Sequence, residues 1–310
     1  MAFKEYENPD ELKKVQDLSL KLLLELDRVC SVLDIQYCLW AGTALGAVRH
    51  QGFIPWDDDI DIVMLRGDYE QFLEKGPEIL GSDYYIDNIR KSEHCTTPCS
   101  YLALKGTKCV PDFFDGNDYE KPLSIDVIPL DEILADDTPA RRKQMRKTWF
   151  WGRLFYLSLT PAPYLGFDGL KRSVALLVCR VAYTLLHAVG LTPRKIHSIW
   201  ENWVRKYDGC NSGLYADFSD KQPLNWSVKK TDMFPCVRLP FCGHDLNVAR
   251  EYDRILTSNY GNYMQLPPVE QRKNHYPSKL DLASSKSMKK RKIIGDYFWN
   301  TMGSVMNAAS

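Results

Sequence analysis

The stretch that decides the fold is residues 39–65, "LWAGTALGAVRHQGFIPWDDDIDIVML". A Gly-Thr turn leads into small residues typical of a short helix, and four acids within five positions precede an apolar run. The pattern predicts a turn, a helix and then a strand that enters the core. Carboxylates this close repel one another, so the folded site must contain a positive group or ion that offsets them.

The acids Asp59 and Asp61 alternate with Ile60 and Ile62. On a strand, side chains two residues apart point the same way, about 6.6 Å apart along the chain. We therefore expect the two acids to face outward together while the two isoleucines face the core. Such a pair can bind one hard cation, or two cations about 3.5–4 Å apart.

A third acid, Asp126, lies in "LSIDVIPLD" between Ile125 and Val127. An acid with β-branched neighbours is costly to bury unless it is paired or binds a metal. We predict that Asp126 joins Asp59 and Asp61 as the catalytic, metal-binding set. The alternative is that these acids cap a helix or form surface salt bridges.

Gly42 and Thr43 are predicted to bind phosphate. Gly42 allows close approach of the backbone to a ligand, and Thr43 can cap the following helix while its hydroxyl donates. The exposed N–H groups at a helix start suit a phosphate.

Arg49, His50 and Trp56 complete the predicted substrate-binding set. Arg49 can pair with phosphate oxygens in a bidentate manner, or it can neutralise the acids at 57–58. Phe53 and Trp56 can stack on a base, or they can pack beneath the acid loop.

The composition of the chain bears on its partners and on its cellular compartment. The chain has 310 residues, with 40 basic and 40 acidic side chains, and this balance argues against a nucleic-acid partner. The start, "MAFKEYENPDELKK", lacks the apolar centre of a signal peptide. Nine scattered cysteines favour free thiols in a reducing compartment, so we expect a cytoplasmic protein. A zinc site is the less favoured alternative, with ligands His94, Cys95, Cys99 and Cys109.

The order of elements predicts an α/β (α+β) fold with a mixed sheet and helices packed on it. Residues 10–34 are predicted to form an amphipathic helix, and residues 213–245 look turn-rich and aromatic. We expect a catalytic core at 1–135, a mainly helical and aromatic second subdomain at 136–245, and a C-terminal helix and tail at 246–310. The aromatic and basic side chains of residues 136–245 suit the binding of a saccharide acceptor or of an anionic membrane surface.

The apolar segment 174–191 contains Arg180 near its centre. A central arginine disfavours insertion by about 2.5–3.5 kcal/mol. Three interpretations stay open: a core helix of the second subdomain, a helix lying on a membrane surface, and a membrane span.

The motif "GTALGAVRHQGFIPWDDDIDIVM" closely resembles the signature of the LicD family, which includes bacterial phosphocholine transferases and, more distantly, fukutin and fukutin-related protein. The later "SIDVIPLD" and "VAREYDRILTSNYGNYMQLPP" are similar to family segments, so the resemblance extends from about residue 10 to 275. It implies a nucleotidyltransferase core with the DNA polymerase β-like fold. By resemblance alone, Tyr260, Gly261 and Tyr263 would close a lobe over the site.

The resemblance also implies a reaction: transfer of phosphocholine, or a related alcohol phosphate, from a CDP-alcohol to a saccharide or glycolipid hydroxyl. Asp59 and Asp61 would hold Mg²⁺ or Mn²⁺, and Asp126 would complete the metal site or act as base. Two alternatives stay open: a nucleotidyltransferase that leaves the nucleotide on its acceptor, and a non-catalytic relative that binds glycan or nucleotide. Peripheral contact with the inner face of the membrane is a further expectation.

Overall fold

The computed structural model describes residues 6, 8–92, 95–111, 120–163, 165–272, 274 and 276–282. Its helices are α1 (Pro9–Leu33), α2 (Ala41–His50), α3 (Arg66–Ile79), α4 (Pro139–Leu159), α5 (Leu170–Ala188), α6 (Pro193–Val204), α7 (Lys230–Met233) and α8 (Tyr252–Tyr260). Its strands are β1 (Cys38–Leu39), β2 (Asp61–Leu65), β3 (Tyr84–Asp87), β4 (Ser100–Leu104), β5 (Lys108–Val110), β6 (Ser124–Ile133), β7 (Leu214–Asp217), β8 (Val228–Lys229), β9 (Val237–Phe241), β10 (His244–Val248) and β11 (Lys279–Asp281).

Nine of the strands in this described part form one mixed sheet. Its main path has the order β3-β4-β6-β2-β1-β10-β9, while β7 pairs with β6 and with β8. β2 runs parallel to β6 and β1 parallel to β10, and the other pairs are antiparallel. The predicted α/β (α+β) class with a mixed sheet is confirmed.

Helix α1 covers the sheet, as its apolar spacing predicts. Asn8 caps it by accepting a hydrogen bond from the backbone N–H of Asp10. Leu22, Leu26 and Val29 recur at helical spacing and are completely buried in the main core. This face of α1 holds the helix against the strands that carry the acids.

The region 213–245, predicted to be turn-rich, contributes strands β7, β8 and β9 and the start of β10. The predicted helix "NVAREYDRILTSNYG" also begins later, since Val248 still pairs with Leu39 in the sheet. These strands have two to five residues each. Strands this short show too little alternation for the sequence to reveal them.

The predicted division of the chain at 135 and 245 stays a prediction. Strands β7–β9, from the middle unit, pair within the nine-stranded sheet, so this unit supplies sheet as well as helices. Residues 283–310 of the third unit lie outside the described residues.

Helix α5 contains most of the apolar segment 174–191, and its interpretation as a core helix is wrong. Cys179 is its one buried residue, and most of its large apolar side chains are exposed. Within the described ranges, no single helix combines the length and hydropathy that a membrane span requires. The helical segments 170–188 and 193–207 meet both criteria only when they are counted as one segment, and the chain bends by 89° between them.

A buried ion pair joins α3 to β6. Arg66 donates two hydrogen bonds of 2.7 Å to the two carboxylate oxygens of Asp131. The side chains are 8% and 1% exposed. Arg66 also lies 3.2 Å from a carboxylate oxygen of Glu201 on α6. One guanidinium thus connects a helix, the central strand β6 and the helical layer.

Candidate active site

Two predicted catalytic acids meet where strands β2 and β6 begin. Asp61 is the first residue of β2, and its Cα partner in the parallel pairing with β6 is Asp126. Neighbouring strands lie about 4.8 Å apart, so the two carboxylates start from adjacent backbone positions. Ile60 and Ile62 are buried on the opposite face, as their alternation with the acids predicts.

Asp61 lies in a strongly negative environment. Burial raises its pKa well above the usual range, and the carboxylates of Asp59, Asp126, Asp217 and Asp57, in that order, raise it further. The proton is favoured because ionised Asp61 would be a buried charge close to several other carboxylates. A bound cation would offset the repulsion between these carboxylates. The clustering of acids in the sequence predicts such a positive group or ion.

Asp217, which was not predicted from the sequence, joins the same group. Asp217 ends β7, is 4% exposed and accepts a 2.8 Å hydrogen bond from the backbone N–H of Ser219. Burial raises its pKa. A signal was available, because Asp217 lies between Ala216 and Phe218, just as Asp126 lies between two apolar residues.

Lys121 is a second group that the sequence analysis missed. Its Nζ lies 3.5 Å from a carboxylate oxygen of Asp126 and 4.7 Å from the ring centroid of Tyr101. Burial lowers the pKa of this ammonium, but Asp126 and nearby groups more than offset that effect, so the pKa is raised. Lys121 therefore stays charged and supplies one positive charge to the acidic group.

Gly42 and Thr43 lie beside the acids, at the start of α2. The Thr43 hydroxyl accepts a 2.9 Å hydrogen bond from the backbone N–H of Asp61 and so positions the start of β2. The predicted capping role of Thr43 is wrong, since the N-cap is Trp40 and no side chain caps α2. A Cβ on Gly42 would lie 3.0 Å from a carboxylate oxygen of Asp57, so a larger residue here would require the Asp57 side chain to shift. Phosphate binding by these two residues stays a prediction.

Arg49, His50 and Trp56 form a separate cluster at the other end of α2. Arg49 donates to Nε2 of His50 at 2.9 Å and to the carbonyl of Tyr263 at 2.6 Å. The Arg272 guanidinium lies 5.1 Å from the centroid of the Trp56 ring. Burial and Arg272 lower the pKa of Arg49. Substrate binding by the three predicted residues stays a prediction.

Phe53 packs against Phe241, with ring centroids 5.1 Å apart, at the edge of the main core. This contact agrees with the packing alternative for Phe53.

A cavity of about 580 Å³ opens over the acids. Trp40 and Trp226 form an aromatic wall of the cavity, with ring centroids 5.4 Å apart. The ring of Tyr260, behind this wall, lies 5.8 Å from that of Trp226. Burial, followed by the charges of Asp61, Asp57 and Asp59, raises the pKa of Tyr260, so this tyrosine lies near the acids. The residues that line the cavity include Trp40, Asp61, Thr96, Asp126, Tyr156, Asp217 and Trp226.

Two residues that line the cavity carry buried polar atoms without a hydrogen-bond partner. The indole N–H of Trp40 and the hydroxyl of Thr96 are buried and have no hydrogen-bond partner in the described part of the chain. Buried polar groups are normally satisfied, so each such exception calls for an explanation.

Zinc and magnesium binding were predicted at different sets of residues. Of the less favoured zinc set, His94 lies outside the described residues, and the Cys95 thiol lies 3.2 Å from the Tyr101 hydroxyl. Within the described ranges, no three His, Cys, Asp or Glu side chains already form a metal-binding group. Magnesium and zinc binding both stay predictions.

Comparison with known proteins points to one family. A family model described as "LicD/FKTN/FKRP, nucleotidyltransferase domain" matches residues 34–99, which include Gly42, Thr43, Asp59 and Asp61. The chain is 25% identical over 280 residues to lipopolysaccharide cholinephosphotransferase LicD of Haemophilus influenzae, covering 86% of this chain and 96% of the relative. An uncharacterized protein of Rickettsia typhi is 34% identical over 79 residues, 26% of each chain. One of Rickettsia prowazekii is 33% identical over 79 residues, 26% of this chain and 30% of the relative.

Proposed function

This chain is a member of the LicD family, and from that premise we propose that it is a phosphotransferase that moves phosphocholine onto lipopolysaccharide or a related cell-surface glycolipid precursor. We propose further that the donor is CDP-choline, that CMP is released and that the reaction requires Mg²⁺ or Mn²⁺. In this proposal the core has the DNA polymerase β-like nucleotidyltransferase fold, and the reaction takes place in the cytoplasm.

The observation that carries this proposal is the position of two acids beneath an aromatic wall. Asp61 and Asp126 are paired across parallel strands and line the same cavity as Trp40 and Trp226. A quaternary ammonium binds well against the faces of aromatic rings, and tryptophan is the best of them. Choline phosphate carries such a cation beside an anionic phosphate, so it matches both halves of the cavity.

The chemistry of the donor set supports a hard divalent cation. The groups around Asp61 are carboxylates, which Mg²⁺ and Mn²⁺ prefer over sulfur ligands. Asp59, Asp61 and Asp126 would hold the ion. When bound, it supplies positive charge to the phosphate oxygens during displacement.

The other residues of the cavity position the reactants and accept a proton. The acceptor oxygen forms a bond to the phosphorus of phosphocholine, the phosphorus–oxygen bond to CMP breaks, and the acceptor hydroxyl loses its proton. We assign that proton to Asp217, because this carboxylate lines the cavity and is held by Ser219. The raised pKa brings Asp217 closer to that of an effective general base.

The proposal is tested with the purified chain, Mg²⁺, lipopolysaccharide and CDP-choline carrying separate labels on choline and cytidine. We expect the choline label on the acceptor and one CMP released for each transfer. Cytidine label on the acceptor would instead identify a nucleotidyltransferase. If CDP-choline binds without turnover, the non-catalytic alternative is favoured. If CDP-choline does not bind but CDP-ribitol or CDP-glycerol does, the proposed choline donor is wrong.

Replacing Trp226 by leucine should weaken binding of the choline group. Loss of one aromatic face should raise KM for CDP-choline about tenfold, since cation–π contacts contribute about 0.5–2 kcal/mol. Trp226→Phe should retain most of the affinity. The measurement is KM for CDP-choline beside the inhibition constant of CDP-glycerol, which lacks the cation. Equal weakening of both would show that Trp226 does not recognise choline.

Replacing Asp217 by asparagine should lower kcat about 10²-fold, the usual contribution of a general base. Burial raises the pKa of Asp217, so the ionised base is present above this raised pKa and is lost as pH falls through it. As the pH is lowered, the wild-type rate should therefore begin to fall at a higher pH than it would if the base had the ordinary Asp pKa of about 3.9.

The measurement is the pH profile of kcat, with CDP-choline affinity as the control for the site's integrity. The acidic decline should disappear in Asp217→Asn and return in Asp217→Glu. An unchanged profile in Asp217→Asn would remove Asp217 from the proposed base role.

A further inference from the structure

Helix α5 presents a continuous apolar stripe on its exposed side. At 3.6 residues per turn, its six members fall within an arc of about 100°. Each is at least half exposed. The stripe consists of Leu170, Val174, Leu177, Val178, Val181 and Leu185. A clustered apolar surface of this kind marks an interaction site, unlike single exposed side chains.

The opposite side of α5 faces the protein. Leu186, like Leu154 of α4, is partly buried and packs against a core cluster, and Nε2 of His187 lies 3.0 Å from the carbonyl oxygen of Ser158. The stripe thus points away from α4, and α5 is held in place without using it. The apolar residues are therefore not explained by the packing of the described chain.

Positive charge is concentrated in the part of the chain that contains the stripe. Residues 138–200 contain eleven Lys and Arg but a single acid, Asp168, although the whole chain has a net charge of zero. Lys171 and Arg180 fall on opposite borders of the stripe, and both are exposed. An apolar stripe with basic borders is complementary to an anionic lipid surface.

We propose that α5 lies in the headgroup layer of an anionic membrane, with the stripe (Leu170, Val174, Leu177, Val178, Val181 and Leu185) inserted among the acyl chains. The inference goes beyond the proposed reaction and does not depend on which group is transferred. It also has a spatial consequence, because α4 packs on α5 and supplies Tyr156 and Leu159 to the cavity over the acids. Docking through α5 would hold the cavity near a lipid-linked acceptor.

The test is cosedimentation of the full chain with vesicles of phosphatidylcholine, with and without phosphatidylglycerol. We expect binding that requires phosphatidylglycerol and weakens with salt. Leu177→Asp/Val181→Asp should lower the partition coefficient at least about tenfold. Lys171→Glu/Arg180→Glu should lower it about fivefold or more for each residue.

A matched control comes from two valines of equal exposure. Val178 in the stripe and Val32 on α1 are both 61% exposed, so aspartate at either position should leave the fold intact. Val178→Asp should weaken vesicle binding, and Val32→Asp should not. The proposal is overturned if the wild type ignores both kinds of vesicle, or if Val32→Asp is equally damaging. It is also overturned if the wild type is a dimer that Val178→Asp dissociates without any vesicle binding, because a second copy would then cover the stripe.

Discussion

Replacing Asp61 by asparagine is expected to lower the rate of phosphocholine transfer by about 10²- to 10³-fold, the size of effect found when an electrostatic contact to the transition state is removed. Asp61 is at the centre of the acidic group and opposite Asp126 in the sheet. Asparagine keeps the shape of the side chain but loses the negative charge that would hold the cation. Binding of Mn²⁺ should weaken in parallel with activity.

The measurement combines the transfer rate, Mn²⁺ affinity by calorimetry and the melting temperature. Asp61→Asn should be about as stable as the wild type in the absence of a cation, because the raised pKa of Asp61 favours a neutral acid and asparagine is neutral too. Asp136→Asn, at an exposed position, is the matched control and should leave all three quantities unchanged. Near-normal transfer by Asp61→Asn would contradict the proposed active site.

Replacing Arg66 by methionine is expected to lower the free energy of unfolding by about 3–5 kcal/mol, because Asp131 would be left buried without its partner. Asp131 is 1% exposed and receives two hydrogen bonds from Arg66. The double variant Arg66→Met/Asp131→Leu removes both charges and should recover much of the loss.

An exposed ion pair provides the control for this second prediction. Arg142 and Asp137 are 2.8 Å apart, with side chains 56% and 59% exposed, so Arg142→Met should cost less than about 1 kcal/mol. Urea unfolding of the variants measures all these changes. If Arg66→Met were no more destabilising than Arg142→Met, the buried pair would not stabilise the fold as proposed.

The acids of the site that were predicted from the sequence can be recognised from the residues next to them in the chain. The alternation of acids and isoleucines over 59–62 indicates both the strand and the direction of its side chains. Asp126 was found in the same way, through its apolar neighbours. Helix α1 was predicted within a residue or two of its observed ends, because its apolar spacing is long and regular.

Asp217 was not predicted because its position depends on the pairing of strands that are far apart in the chain. Asp217 reaches the site because β7 pairs with the end of β6, where Leu130 is its partner. No local pattern encodes that contact, and β7 has only four residues. The exposure of α5 was undetermined for a related reason, since periodicity shows that a helix has an apolar face but not what covers it.

The chain order of the active site has a consequence for folding. Asp61, Asp126, Asp217 and Tyr260 come from segments that are separated by tens of residues, and the sheet brings them together. The segment 34–99 that matches the family model holds Asp59 and Asp61 but not Asp126 or Asp217. Closing such long loops is slow, and its entropic cost precedes the contacts that reward it. Activity should therefore be among the last properties to return on refolding, after α1 and the local turn, helix and strand have formed.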